Sequence, residues 1–145
     1  MRLSIIIPVF NEADTFEELL ARVMAVDVGL KRQIVIIDDA SNDGTRDLYP
    51  KIKQRWPNED LLIHLQPHNR GKGAALREGF RLADGDILLI QDADLEYDPR
   101  EYPILLKPIL EGKADVVYGS RCIGGAEQRI DQFWHTMGNK FVTLL

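Results

Sequence analysis

Three apolar runs in this chain each stop abruptly at acidic residues, and that repetition constrains the fold more than any other feature. Ile87-Leu88-Leu89-Ile90 is followed by Gln91-Asp92-Ala93-Asp94. Ile5-Ile6-Ile7-Pro8-Val9-Phe10 runs into Asn11-Glu12, and Ile34-Val35-Ile36-Ile37 into Asp38-Asp39. Continuous runs of this kind read as strands buried on both faces, which requires a parallel sheet covered by helices. Such strands cannot hold carboxylates in their interiors, so the acidic residues lie just past the carboxyl ends. In an open α/β sheet that rim is where ligands bind. Parallel strands bring their acidic ends together, where they repel one another unless a cation or a donor-rich ligand sits among them. Asp92 and Asp94 are hard oxygen donors suited to Mg²⁺ or Mn²⁺, which take one or two protein carboxylates plus phosphate oxygens. Helix capping accounts for Asn42 or Asp43 ahead of a helix starting near Thr45. It does not account for Asp38 and Asp39, which come several residues earlier.

Helical patterns separate the strands. The first helix opens with Thr15 and Glu18 at capping-box spacing and carries Phe16, Leu19, Leu20, Val23 and Met24 as a core stripe. A second runs from about Thr45 to Trp56, ahead of a short strand from Leu61 to Leu65. A third follows Gly71-Lys72-Gly73, with Leu76, Phe80 and Ala83 expected to face inward. Asp98-Pro99 reads as an N-cap with proline at the first helical position, and Pro108 should kink the helix that follows. Residues 114–119 read as a fifth strand. The alternation implies right-handed crossovers and an α/β fold: a Rossmann-like, doubly wound, mostly parallel sheet with helices on both faces, read as one domain over residues 1–145.

Composition narrows the function classes. A chain of 145 residues buries roughly two-thirds of its unfolded surface, enough for one core. The net charge of −5 argues against a nucleic-acid partner, which calls for a basic face. Cys122 is the only cysteine, so there is no disulfide framework or thiolate metal site, and its expected role is a small semi-buried hydrophobe. No signal-peptide pattern is visible, and no apolar run reaches the ~20 residues that span a bilayer. A soluble, cytoplasmic protein is expected.

Two nucleotide motifs fail. Gly71-Lys72-Gly73 lacks the glycine spacing and the Ser/Thr of a P-loop, and Leu76 breaks a G-x-G-x-x-G reading. Asn69-Arg70-Gly71-Lys72-Gly73 still places two cations at a helix amino terminus, a natural anion site, although a tight turn with solvated charges explains the same residues.

Pro8-Val9-Phe10-Asn11-Glu12, Asp38-Asp39-Ala40-Ser41-Asn42-Asp43-Gly44-Thr45, Asn69-Arg70-Gly71-Lys72-Gly73-Ala74, Asp92-Ala93-Asp94 and Tyr118-Gly119-Ser120-Arg121 together resemble the family 2 inverting glycosyltransferases. The order and spacing are similar to the dolichol- or polyprenyl-phosphate sugar synthase branch. The resemblance implies a GT-A fold that binds a GDP- or UDP-linked sugar with a divalent metal, Mg²⁺ or Mn²⁺. It implies a nucleotide site at Pro8, Phe10, Asn11, Glu12, Asp38, Asp39, Lys72, Asp92 and Ala93. Asp92 and Asp94 would face the metal, the diphosphate and the sugar, with Glu96 as a further ligand. Arg121 would act in catalysis and, with Arg129 and His135, near an acceptor phosphate.

The chemistry bears on the acceptor. A hydroxyl acceptor needs a general base, whereas a polyprenyl phosphate is already an anionic nucleophile and needs only cationic positioning. No base stands out in the sequence, which favours the phosphate; a saccharide hydroxyl acceptor and a non-catalytic module that binds the nucleotide sugar stay open as alternatives. Phe133-Trp134-His135-Thr136-Met137 reads as a core stripe or as an apolar surface meeting lipid. Such contact would be peripheral, at the inner face of a membrane. The chain ends inside a helical pattern at residues 141–145, where the resemblance implies further acceptor-side elements.

Overall fold

The computed structural model describes residues 1–119. Its strands are β1 (Arg2–Val9), β2 (Lys31–Asp38), β3 (Leu61–Leu65) and β4 (Ile87–Ile90), and its helices are α1 (Phe16–Ala25), α2 (Thr45–Arg55), α3 (Lys72–Leu82) and α4 (Tyr102–Leu110). A 3₁₀ turn, Pro99–Glu101, leads into α4. The four strands form one parallel sheet in the order β3-β2-β1-β4. The chain steps outward from β1 to β3 and then returns to the other side of β1. The loops after β1 and β4 therefore flank the point where the strand order reverses, which is where open α/β sheets bind ligands.

Alternation along the strands sorts the two faces. Leu3, Ile5, Ile7, Ile34, Ile36 and Leu89 pack with Phe16, Leu19, Leu20 and Val23 of α1, with Tyr49 and Ile52 of α2, and with Tyr102 and Leu106 of α4. The Phe16 and Tyr49 rings meet edge to face, 5.9 Å between centroids. On the opposite face Ile6, Val35 and Ile37 pack against Ala75 of α3. The α1 stripe is as the helical period demands, with Met24 partly buried at its margin.

Four expectations need correction. Phe80 is exposed rather than inward. The sheet-facing line of α3 is Ala75 and Gly79, and a Cβ at Gly79 would lie 2.4 Å from Ile6 Cγ2. Small residues let the helix sit close on the sheet, and that rotation turns Phe80 outward. β4 is buried on one face only, with Leu88 and Ile90 exposed, because α3 covers β1 and β2 instead. Residues 114–119 are not a strand: Val116 and Tyr118 are exposed, with no ladder partner among the described residues. Apolar pattern permits a strand, but a neighbour's hydrogen bonds make one. The capping box of α1 does not form, since Thr15 Oγ1 donates to Glu12 Oε2 at 2.6 Å while Glu18 pairs with Arg22.

Asp98 behaves as expected, its side chain accepting from Arg100 N at 2.9 Å with Pro99 in the first turn. Among the described residues, no helix is long and apolar enough to cross a membrane.

Candidate functional site

Consecutive carboxylates at the end of β2 serve opposite faces, because side chains alternate along a strand. Asp38 is wholly buried on the α2 side. Its Oδ1 accepts from Ser41 N at 3.0 Å and Arg46 Nε at 2.7 Å, and its Oδ2 accepts from Tyr49 Oη at 2.7 Å. Burial alone would raise its pKa, but the bonds from Tyr49, Arg46 and Ser41 outweigh burial and hold the carboxyl below the usual range. Burial, then the bond to Asp38, pushes the Tyr49 hydroxyl well above its ordinary value. Asp38, expected at the nucleotide, is turned inward and its charge is spent on α2. Arg46 and Tyr49 were not singled out from the sequence. Their 8- and 11-residue separations from Asp38 carry no local signature.

Asp39 points to the other side. Its backbone N–H donates to Val9 O at 2.8 Å, and its carboxylate accepts from Arg70 N at 2.8 Å and Gly71 N at 2.7 Å. It therefore ties the end of β2 to the loop that precedes α3. Two amides of the segment read as an anion site, those of Arg70 and Gly71, are thus committed to Asp39.

The loops after β1 and β2 interlock. Asn11 adopts the left-handed conformation at φ 57°, which Asn tolerates better than most residues. Its N–H donates to Ser41 Oγ at 3.0 Å, and its Oδ1 accepts from Asn42 N at 2.8 Å. Glu12 N donates to Thr45 Oγ1 at 2.9 Å, and Ala13 N to Asp43 Oδ2 at 3.0 Å. Asp43 also accepts from Thr45 N and Oγ1, and these bonds lower its pKa against the opposing effect of desolvation. Pro8 is buried, while Phe10 stands half-exposed on the rim.

Beyond β4, Lys72 at the start of α3 reaches Asp92, with Nζ 2.6 Å from Oδ1. Ala93 is buried between the two aspartates, and Asp94 Oδ1 accepts from Glu96 N at 3.1 Å. Glu96 does not complete a ligand set: among the described residues, no three His, Cys, Asp or Glu side chains converge as a metal cluster. Asp92 and Asp94 still fit the manner in which Mg²⁺ and Mn²⁺ are held in nucleotide sites, through one or two carboxylates with substrate phosphates completing the shell. The mutual repulsion expected among the acidic strand ends is largely relieved internally by Arg46, Lys72, hydroxyls and backbone amides. Arg121, Arg129, His135, Cys122 and the Phe133-Trp134-Met137 segment lie outside the described residues.

A cleft of about 660 Å³ opens at the far end of the sheet, lined by Arg2, Val26, Lys31, Arg32, Glu59 and Asp60 among others. Arg2 is already paired with Asp60 and Asp84, and Arg32 with Glu59 and the last carbonyls of α1. These charges brace the fold.

The model of Glycosyl transferase family 2 matches residues 4–141. A dolichol-phosphate mannosyltransferase of Pyrococcus furiosus is 31% identical over 140 residues, covering 97% of this chain and 39% of that protein. An undecaprenyl-phosphate 4-deoxy-4-formamido-L-arabinose transferase of Salmonella paratyphi A is 34% identical over 146 residues, covering 99% of this chain and 42% of that protein. Among solved structures, a Pyrobaculum calidifontis mannosyltransferase in complex with GDP-Man and Mn²⁺ superimposes with a TM-score of 0.62 at 32% identity, covering 69% of this chain and 29% of that one. The chain thus spans less than half the length of these relatives.

Proposed function

This chain belongs to glycosyl transferase family 2 and has the GT-A fold, and from that premise we propose that it forms the nucleotide-sugar half of an enzyme transferring a sugar to a polyprenyl phosphate. The observation that carries the reading is the Lys72–Asp92 ion pair, two residues ahead of Asp94, at the point where the strand order reverses. The donor is a GDP- or UDP-linked sugar. Pro8, Phe10 and Asn11 on one side and Asp39 on the other border the space for base and ribose. Asp92 and Asp94 hold a divalent cation, Mg²⁺ or Mn²⁺, which when bound neutralises the charge that develops on the departing diphosphate. Lys72 adds a second cation beside the same phosphates.

The remaining chemistry belongs to the acceptor. Attack from the side opposite the leaving diphosphate inverts the anomeric carbon through an oxocarbenium-like state. A phosphate monoester arrives ionised and calls for no general base. The names of the dolichol- and undecaprenyl-phosphate relatives support this acceptor class. Arg121, Arg129 and His135 are the side chains proposed to position it. Association with the cytoplasmic face of a membrane would then be peripheral and salt-sensitive.

Calorimetry with GDP and UDP, each with and without Mn²⁺, tests the donor side. A nucleotide at 100-fold over its dissociation constant should stabilise the domain by about 2.7 kcal/mol. Asp94→Ala should abolish the metal's contribution and leave the fold intact. Failure of both nucleotides to bind in saturating Mn²⁺ or Mg²⁺ overturns the reading. For the acceptor, the protein carrying this chain at its full natural length should move labelled sugar into an organic-extractable, mild-acid-labile product. Label appearing only in a water-soluble saccharide would overturn the polyprenyl-phosphate assignment and leave the donor reading standing.

A further inference from the structure

The loop that carries Asp92 and Asp94 is closed by one buried amide. Gln91 is 2% exposed, and its backbone N–H donates to Ile6 O at 3.0 Å, continuing the β1–β4 pairing one residue past the strand. Its side-chain Nε2 donates to Asp92 O at 3.1 Å and to Tyr97 O at 3.4 Å. Those carbonyls stand at the two ends of residues 92–97, so a single NH₂ group spans the whole loop. Two carbonyls can be met only by a donor, which fixes the orientation of the amide and directs Oε1 the other way. There Tyr102 Oη donates to Oε1 at 2.7 Å. Tyr102 is itself 2% exposed, the first residue of α4 and part of the main core. The loop is thereby referenced to the sheet through Ile6 and to the α4 layer through Tyr102.

We infer that Gln91 and Tyr102 are positioning residues that preset the Asp92–Asp94 carboxylates for the metal-bound diphosphate. The inference rests on the proposed function and adds to it the part that makes the site rigid. Two carboxylates on a free loop would have to be ordered when the ligand binds, at a cost to affinity, whereas a loop closed in advance has already met that cost. Asp92 and Asp94 touch the ligand in this scheme, and Gln91 and Tyr102 act only through them. Burial pushes the Tyr102 hydroxyl well above its ordinary value, so near neutral pH it is protonated and able to donate. No ionisation of Gln91 can interrupt the chain of contacts.

The test compares Gln91→Leu and Tyr102→Phe with the unsubstituted chain in two measurements. The first is hydrogen exchange of the amides over residues 92–97. Exchange there should accelerate about threefold in Tyr102→Phe, which removes one bond, and about thirtyfold in Gln91→Leu, which removes three, while the β1–β2 ladder stays protected. The second is the gain in GDP or UDP affinity that Mn²⁺ confers, which should shrink by similar factors while metal-free affinity holds. A purely structural role would lower the melting temperature without altering that ratio. Tyr102→Phe removes only a hydroxyl, so it keeps the test open if Gln91→Leu folds poorly. Unchanged loop exchange in both variants overturns the inference, even if the original chain binds neither nucleotide and the proposed function fails. An unchanged Mn²⁺ gain in both variants, where the original chain shows one, overturns the inference alone.

Discussion

Lys72 and Asp92 form an ion pair of 2.6 Å that joins the start of α3, a helix packed on β1 and β2, to the loop that follows β4. The lysine side chain is 58% exposed and the aspartate 20%, so the pair stands on the rim rather than inside the core. Exposed pairs of this kind contribute at most about 1 kcal/mol to stability. The value of this pair is in placing a cation beside the Asp92 carboxylate.

Replacing Lys72 by Met should therefore leave folding nearly unchanged, within about 1 kcal/mol. Nucleoside diphosphate binding should weaken about tenfold, because a charge-assisted contact to phosphate is lost. Parallel chemical denaturation and calorimetry with GDP and UDP measure the two quantities. Full retention of nucleotide affinity would remove Lys72 from the binding site.

Asp38→Asn should behave in the opposite way. The carboxamide it introduces would direct an NH₂ group at Arg46 or Tyr49, where Asp38 now accepts from both. Breaking a buried, hydrogen-bonded charge cluster of this type costs about 3 kcal/mol. A melting temperature equal to that of the original chain would refute the bracing role.

Asp38 also fixes the sign of the acid response. Its carboxyl titrates below the ordinary aspartate value of 3.8 in the folded chain and near that value once unfolded. Its stabilisation is thus complete above about pH 5, and is lost as pH falls through 3.8 toward the folded pKa. Asp43, lowered in the same direction, adds to the effect. The melting temperature should fall between about pH 5 and pH 3, and Asp38→Asn should flatten that fall.

Gly79→Ala tests the close approach of α3 to the sheet. Alanine would favour the helix by roughly 1 kcal/mol, yet its Cβ would lie 2.4 Å from Ile6 Cγ2 in a packed core. Overpacking costs about 1–3 kcal/mol, so a net loss is expected by denaturant titration. A gain in stability would mean that α3 has room to lift.

The sequence alone determined the four strands of the sheet, the α1 stripe, the parallel α/β class and the placing of Glu12, Asp39, Asp92 and Asp94 beyond the strands, whereas Asp38, expected there too, is the last residue of β2 itself. Those features rest on local periodicity and on the cost of burying a charge without partners, both of which a linear chain displays. Only the tertiary structure decided what each carboxylate does. Asp38 and Asp39 are adjacent and chemically identical, yet one is enclosed by Arg46 and Tyr49 while the other gathers the Arg70 and Gly71 amides. The outward turn of Phe80 depends on Gly79 meeting Ile6, 73 positions away. The amide of Gln91 finds its role only because α4 brings Tyr102 to it. Side-chain period assigns a residue to a face, but its hydrogen-bond partner is set by which elements the folded sheet makes neighbours.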